Sequence, residues 1–286
     1  MASKRMIGAL LLCAAPLLSA PVRAIEVSPV TPTTALPPLS AYQAVYELSL
    51  VHTKGAGAPT SGRGRIAFEL SGSDCEGYIE NIHQITELRS SEGPPRLSVL
   101  RTAIFEAGDG KNLRFDIESK TSGEPAEKVR GEATKSSDAP LLVKLVKPEP
   151  RQAKLAADAL FPYEHLRRIL ATAQAGGNLL QARVYDGSDD GVKILQTTTT
   201  IGKPASTAAV GKAAQVDALK NARRWPVSIA YFEADTQEDQ TPLYVLSFEL
   251  YENGVSGALK LDYGEFALAG EIAELAFTPT SSTCKN

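Results

Sequence analysis

Residues 160–191, LFPYEHLRRILATAQAGGNLLQARVYDGSDDG, hold the one strongly marked helix in a chain of 286 residues whose other segments have strand character. Pro162 suits a first helical position, and Gly176-Gly177 suits a left-handed exit, so the spacing predicts a helix between them. Tyr163, Leu166, Ile169, Leu170 and Ala173 recur three and four residues apart and draw one apolar stripe, which should lie on a sheet. Glu164 and Arg168 are four apart on the opposite side, in the order that supports an exposed helix. After the glycines, 179–185 has strand character. Asp186-Gly187 is expected to open a tight turn into a second strand over 193–201.

Outward from this block the pattern is short alternating or β-branched runs separated by turn residues. Strands are expected over 43–51, 63–70, 76–88, 98–106, 112–118, 127–133 and 141–147 before it, and over 225–233, 243–251, 255–263 and 265–277 after it. Gly, Pro, Asn, Asp and Ser occupy the breaks. In Tyr244, Leu246, Phe248 and Leu250 the apolar residues fall on alternate positions, with Ser247 and Glu249 between them. That is the pattern of an antiparallel sheet with one wet face. About a dozen strands in roughly 245 residues exceed a small sandwich, so the expected fold is mainly β, a large antiparallel curled sheet or broken β-barrel with one principal helix. Residues 42–286 are expected to form one domain. The Ala-rich stretch 203–224 is expected to contain a short helix around Val216, Leu219 and Ala222.

The start of the chain bears on compartment. Lys4 and Arg5 precede the apolar run 6–18, and Val22-Arg23-Ala24 ends in the small residue a signal peptidase reads, so residues 1–24 are expected to be a cleaved secretion signal. The run is shorter than the ~20 apolar residues of a membrane span, and no later stretch competes, so no membrane-spanning segment is expected. A lipidated Cys13 fits less well, because Leu12 sits where a small residue is wanted. Residues 25–41 contain Pro29, Pro32, Pro37 and Pro38, and extended backbone follows from them, as a spacer or as a strap along the domain. Cleavage after Ala24 removes three cations and no acid, taking the net charge from −3 to −6. No basic patch interleaved with aromatics remains, so nucleic acid is not an expected partner. It also leaves only Cys75 and Cys284, most simply one disulfide in an oxidising compartment, the alternative being two free thiols.

Catalytic chemistry has little to build on. The three histidines, His52, His83 and His165, share no metal-ligand spacing with Cys or carboxylate, and no nucleophile motif accompanies them. No metal, cofactor or enzymatic activity is expected. His165, near the helix start at the edge of the apolar stripe, is either a packed histidine bonded to its neighbours or a ligand contact. The stretch 186–191, DGSDDG, imitates the first half of a calcium loop, but position twelve is Thr197 rather than a bidentate Glu, and strands flank it. A turn is the expectation. Arg223-Arg224-Trp225-Pro226 places a tryptophan beside two arginines, which makes Arg224 and Trp225 either core residues or a contact point for a partner.

Taken together, the secretion signal, Asp74-Cys75-Glu76-Gly77-Tyr78, the Phe161-Pro162-x-x-His165 helix ending in glycine, the Asp186-Gly187 turn, Arg224-Trp225-Pro226-Val227 and the late cysteine resemble the EipB family of cell-envelope integrity proteins of alphaproteobacteria. The resemblance runs over about 42–284. It implies a periplasmic, spiral-like broken β-barrel with a helix at its centre or across its opening, one disulfide, and a role in maintaining the envelope without an assigned enzymatic activity. The expected function is therefore binding or scaffolding in the periplasm, with an envelope protein, a lipid or a lipoprotein as partner. The alternative is a carrier of lipid or lipoprotein acyl chains in the open barrel.

Overall fold

The computed structural model describes residues 35–279 apart from 56, 138, 206–211, 213–214 and 235–240. The expected signal segment 1–24, the first part of the Pro-rich stretch and Cys284 lie outside the described residues. Within them the chain forms fourteen strands and two helices. The first eight strands are β1 (Tyr42–Thr53), β2 (Ser61–Ser73), β3 (Gly77–Arg89), β4 (Arg96–Glu106), β5 (Asn112–Thr121), β6 (Glu127–Thr134), β7 (Leu141–Lys147) and β8 (Arg151–Leu155). Helix α1 (Pro162–Gln174) follows, then β9 (Leu179–Val184), β10 (Leu195–Ile201), the short α2 (Asp217–Lys220), β11 (Arg224–Glu233), β12 (Tyr244–Tyr251), β13 (Ser256–Asp262) and β14 (Phe266–Phe277).

All fourteen strands belong to one sheet, ordered β8-β7-β6-β5-β4-β3-β2-β1-β14-β13-β12-β11-β10-β9. The chain begins in the middle of the sheet, winds out by hairpins to the edge at β8, crosses to the opposite edge at β9, and winds back until β14 pairs with β1. Tyr42 lies opposite Phe277, and Leu48 opposite Gly270. Laid flat, such a sheet would be about 60 Å wide at about 4.8 Å per strand. It cannot lie flat. Leu160 already bonds to the β9 edge, donating its N–H to the Arg183 carbonyl at 2.8 Å and accepting from the Tyr185 N–H at 2.9 Å. Only four residues, 156–159, separate it from the end of β8, and those five residue steps span at most about 17 Å. The two edges are thus held close at this end, and the sheet is curled but not closed by strand pairing. Arg183 adds an ion pair to Asp158 at 3.0 Å, and Arg151 of β8 reaches Asp190 at 3.4 Å.

The curl buries α1 almost all round, with Arg168 and Gln174 as its exposed residues. Tyr163, Ile169, Leu170 and Ala173 of the expected stripe are buried, while Leu166 is half-buried. The C-terminus ends as the glycines require. Gly176 takes φ +80°, and the Gly177 N–H reaches back to the Thr172 carbonyl at 2.8 Å, which satisfies an otherwise unpaired carbonyl. Glu164 and Arg168 pair at 2.7 Å. The Pro-rich stretch, where described, is a strap rather than a free spacer. Arg167 of α1 donates to the carbonyls of Pro37 at 2.9 Å and Leu36 at 2.8 Å, Leu39 is buried, and the Leu39 N–H meets the Tyr78 hydroxyl at 3.1 Å.

Two apolar clusters fill the interior. The larger joins Tyr163, Ile169 and Leu170 of α1 to β1, β2, β11, β12 and β14; the smaller joins Phe161 and Tyr185 to Leu113, Phe115, Leu141 and Val143.

Two expectations are corrected. β8 was not among the expected strands, because in Arg151-Gln152-Ala153-Lys154-Leu155 only Ala153 and Leu155 are apolar, too short an alternation to stand out; its two cations are the device that blunts a sheet edge. The Asp186-Gly187 turn is not a tight hairpin. β9 ends at Val184 and β10 begins at Leu195, so residues 185–194 form a longer loop built on two side-chain turns, with the Ser188 N–H on Asp186 Oδ1 at 2.9 Å and the Val192 N–H on Asp190 Oδ1 at 3.0 Å. That loop folds inward. Gly187 has φ +77°, and a Cβ there would lie 2.5 Å from the Phe115 ring, so both its handedness and its packing require glycine.

Candidate functional site

The curled sheet leaves a cavity of about 320 Å³ beside α1. Its walls come from the inward positions of β1, β2, β3, β11, β12 and β13, because strand side chains alternate and one set of each strand faces inside. Most of the wall is apolar: Ile66, Phe68, Leu166, Leu246 and Leu261 are typical. The volume is at the lower end of the range for small-molecule sites. A larger depression of about 810 Å³ lies on the outer face around β1–β5 and β14. Its charged groups pair with one another, Lys128 with Asp116 at 3.2 Å and Glu118 at 3.7 Å, and it is more polar in character. The inner cavity is the better candidate because its carboxylates face no cation.

Two carboxylates reach that cavity, Glu80 from β3 and Asp186 from the inward loop. Glu80 Oε2 accepts the Tyr163 hydroxyl at 2.6 Å. Burial pushes the Glu80 carboxyl up to about 6, the Tyr163 bond pulls it down, and Asp186 pushes it up. Burial likewise drives Tyr42, Tyr163 and Tyr231 on the same wall well above the ordinary phenol range. All are neutral donors at physiological pH.

His165 lies on the cavity wall and is buried. Its Nε2 is 3.4 Å from Thr197 Oγ1, and that hydroxyl donates to the Ala182 carbonyl at 3.0 Å. Burial, with Arg168 adding to it and Glu164 opposing, lowers its pKa to about 4, so the ring is neutral. Beyond the cavity, Arg224 and Trp225 are buried too. Arg224 Nε pairs with Glu249 at 2.8 Å, and Trp225 is 2% exposed, with the Arg223 guanidinium 5.5 Å from its ring. The structure does not bring them to His165. Cys75 lies in the turn between β2 and β3.

One buried acid absent from the sequence reading organises the helix start. Phe161 occupies the N-cap without a side-chain cap of its own. The cap comes from β4: Glu106 accepts the N–H groups of Tyr163 at 2.7 Å and Glu164 at 2.8 Å. Lys135 closes the arrangement, paired with Glu164 at 2.6 Å and set 4.1 Å over the Phe161 ring. Glu80 and Glu106 had a signal in the sequence, since both occupy the inward register of their strands. It was masked because β3 also carries Ile79 and Ile85 on its outer face, 44% and 41% exposed.

No group of three or more His, Cys, Asp or Glu side chains among the described residues is arranged to hold a metal, and no described helix is long and apolar enough to cross a membrane.

Comparison with known proteins agrees with this architecture. The chain is 33% identical over 239 residues to the cell envelope integrity protein EipB of Brucella abortus (strain 2308), covering 82% of each chain. It superimposes with a TM-score of 0.79 on the crystal structure of a β-barrel-like protein from Brucella abortus, at 31% identity, covering 84% of this chain and 99% of that one. The EipB-like family model matches residues 33–279, which take in the whole of the described sheet, and the chain belongs to the EipB-like family.

Proposed function

We propose that this protein maintains the cell envelope from the periplasm, and that it acts by binding rather than by catalysis, through the cavity beside α1. The envelope role is supported by the similarity to EipB, and the compartment by the export signal expected in residues 1–24. The observation that carries the binding reading is the apolar-walled space that α1 leaves unfilled. That space favours the carrier form, in which the acyl chain of a lipid or lipoprotein occupies the cavity. A binding role also accords with the chemistry of His165, which is neutral and faces a threonine whose proton is committed to a backbone carbonyl. A deletion strain is expected to gain sensitivity to detergent, bile salts and cell-wall antibiotics. Native mass spectrometry of the exported protein is expected to show co-purifying lipid. Unchanged sensitivity would remove the envelope role, and a protein free of lipid that also refuses added lipid would remove the carrier form.

The cross-link between Cys75 and Cys284 belongs to the same proposal. Ser73 and Asp74, at the turn that holds Cys75, share a surface recess with Phe277, Thr278 and Pro279 at the end of β14, so the chain leaving the sheet starts out beside its proposed partner. A loop of about 210 residues closed by this bond would contribute on the order of 5 kcal/mol in the chain-entropy model. Alkylation without reductant is expected to label neither cysteine; labelling of both would overturn the pairing.

A further inference from the structure

The charge inside the cavity goes further than its shape. Glu80 and Asp186 are the only acidic or basic side chains on its wall apart from the neutral His165, and among the described residues no Lys or Arg lines it. The nearest cations on and around α1 have other partners: Lys135 and Arg168 pair with Glu164, and Arg167 is held by the carbonyls of Leu36 and Pro37. Tyr163 is the sole side-chain or backbone donor to the Glu80 carboxylate among the described residues, and it uses Oε2, so Oε1 remains to accept from a ligand.

We infer that the cavity takes an alkyl chain whose head is an ammonium or an uncharged hydrogen-bond donor, and rejects a chain that ends in a carboxylate or phosphate. This rests on the cavity-binding reading above and adds the chemical class of the occupant. An ammonium beside Glu80 forms a charge-assisted hydrogen bond in surroundings of low dielectric, where such bonds are strong. An anionic head in the same place meets two carboxylates without a cation to offset them, and like charges brought together at a desolvated site repel strongly. Burial raises the Glu80 pKa and Asp186 adds to it, with only the Tyr163 hydroxyl, and no cation, pulling it down. The groups that interact with Glu80 are Tyr163 from α1, Tyr42 from β1 and Asp186 from the loop after β9, and neither they nor His165 elsewhere on the wall is a cation at neutral pH.

Titration calorimetry of the whole exported protein with octylamine, octanol and octanoate tests this, at a pH well above 6 so that Glu80 is ionised. Octylamine is expected to bind at least about tenfold more tightly than octanoate, with octanol between them. Glu80→Gln keeps the shape and an acceptor for Tyr163. It is expected to reduce the octylamine affinity several-fold while leaving octanol unchanged, the octanol value reporting that the cavity is intact. Equal binding of amine and carboxylate, or an octylamine affinity indifferent to Glu80→Gln, would overturn the charge selectivity and leave the cavity as a binding site. Binding of none of the three would overturn both.

Discussion

Phe161→Ala is expected to lower the unfolding free energy by about 3–5 kcal/mol, the cost of truncating a fully buried aromatic. Phe161 is 0% exposed and stands where the crossing chain turns into α1. Its ring packs 6.4 Å from Tyr185 and lies under the Lys135 ammonium, so the substitution loosens the smaller apolar cluster and the helix start together. Little collapse is available to refill the space, because the neighbouring backbone is held by the Leu160 bonds to β9. Equilibrium urea unfolding of the wild type and the variant checks this. A loss below about 1 kcal/mol would mean that the joint between the two sheet edges is not held by this side chain.

The second large effect belongs to Glu106. Removing its carboxylate by Glu106→Ala takes two acceptors from the first turn of α1, and about 2–3 kcal/mol is expected from the lost cap and the donors left unpaired in a buried place. Its titration adds a pH signature. Burial pushes the Glu106 carboxyl up to about 7; the N–H groups of Tyr163 and Glu164 pull it down, the Glu164 carboxylate pushes it up, and Lys135 pulls it down. An acid with a folded pKa above its unfolded value binds its proton more tightly in the native state. Stability is therefore fully present below about 4.5 and is lost as pH rises through about 7. A difference of this size amounts to on the order of 3 kcal/mol. His165 works in the opposite sense. Its folded pKa of about 4 lies below the ordinary 6.5, so its contribution is present above 6.5 and is lost as pH falls towards 4. Subtracting the Glu106→Gln curve from the wild-type curve removes His165 and the remaining groups from the comparison. The difference is expected to fall steadily from pH 4.5 to pH 7. A flat difference would mean that Glu106 is ionised throughout.

Much of the fold was present in the order of residues along the chain. Thirteen of the described strands lie where alternation and turn residues place them, because an inward and outward period of two survives in a sheet with one wet face. The helix was equally plain, since Pro162 and Gly176 act through backbone geometry alone and need no tertiary partner. Even the pairing of Glu164 with Arg168 is local. Those features are set by residues within a few positions of one another.

What the sequence could not supply was anything that depends on which distant strands meet. β8 shows only Ala153 and Leu155 alternating with polar residues and carries two cations, as an edge strand does, and being an edge is a property of the whole sheet. Residues 185–194 could not be recognised as an inward loop until the Phe115 ring stood against Gly187, 72 residues away. Glu80 and Glu106 looked like ordinary strand acids until the curl turned their face inward, one onto the cavity and one onto the start of α1. Local pattern determined the strands, the helix and their ends. The curl, held by the four-residue crossing 156–159 between the two edges, decided which faces became interior, and with that the burial, the altered acidities and the cavity.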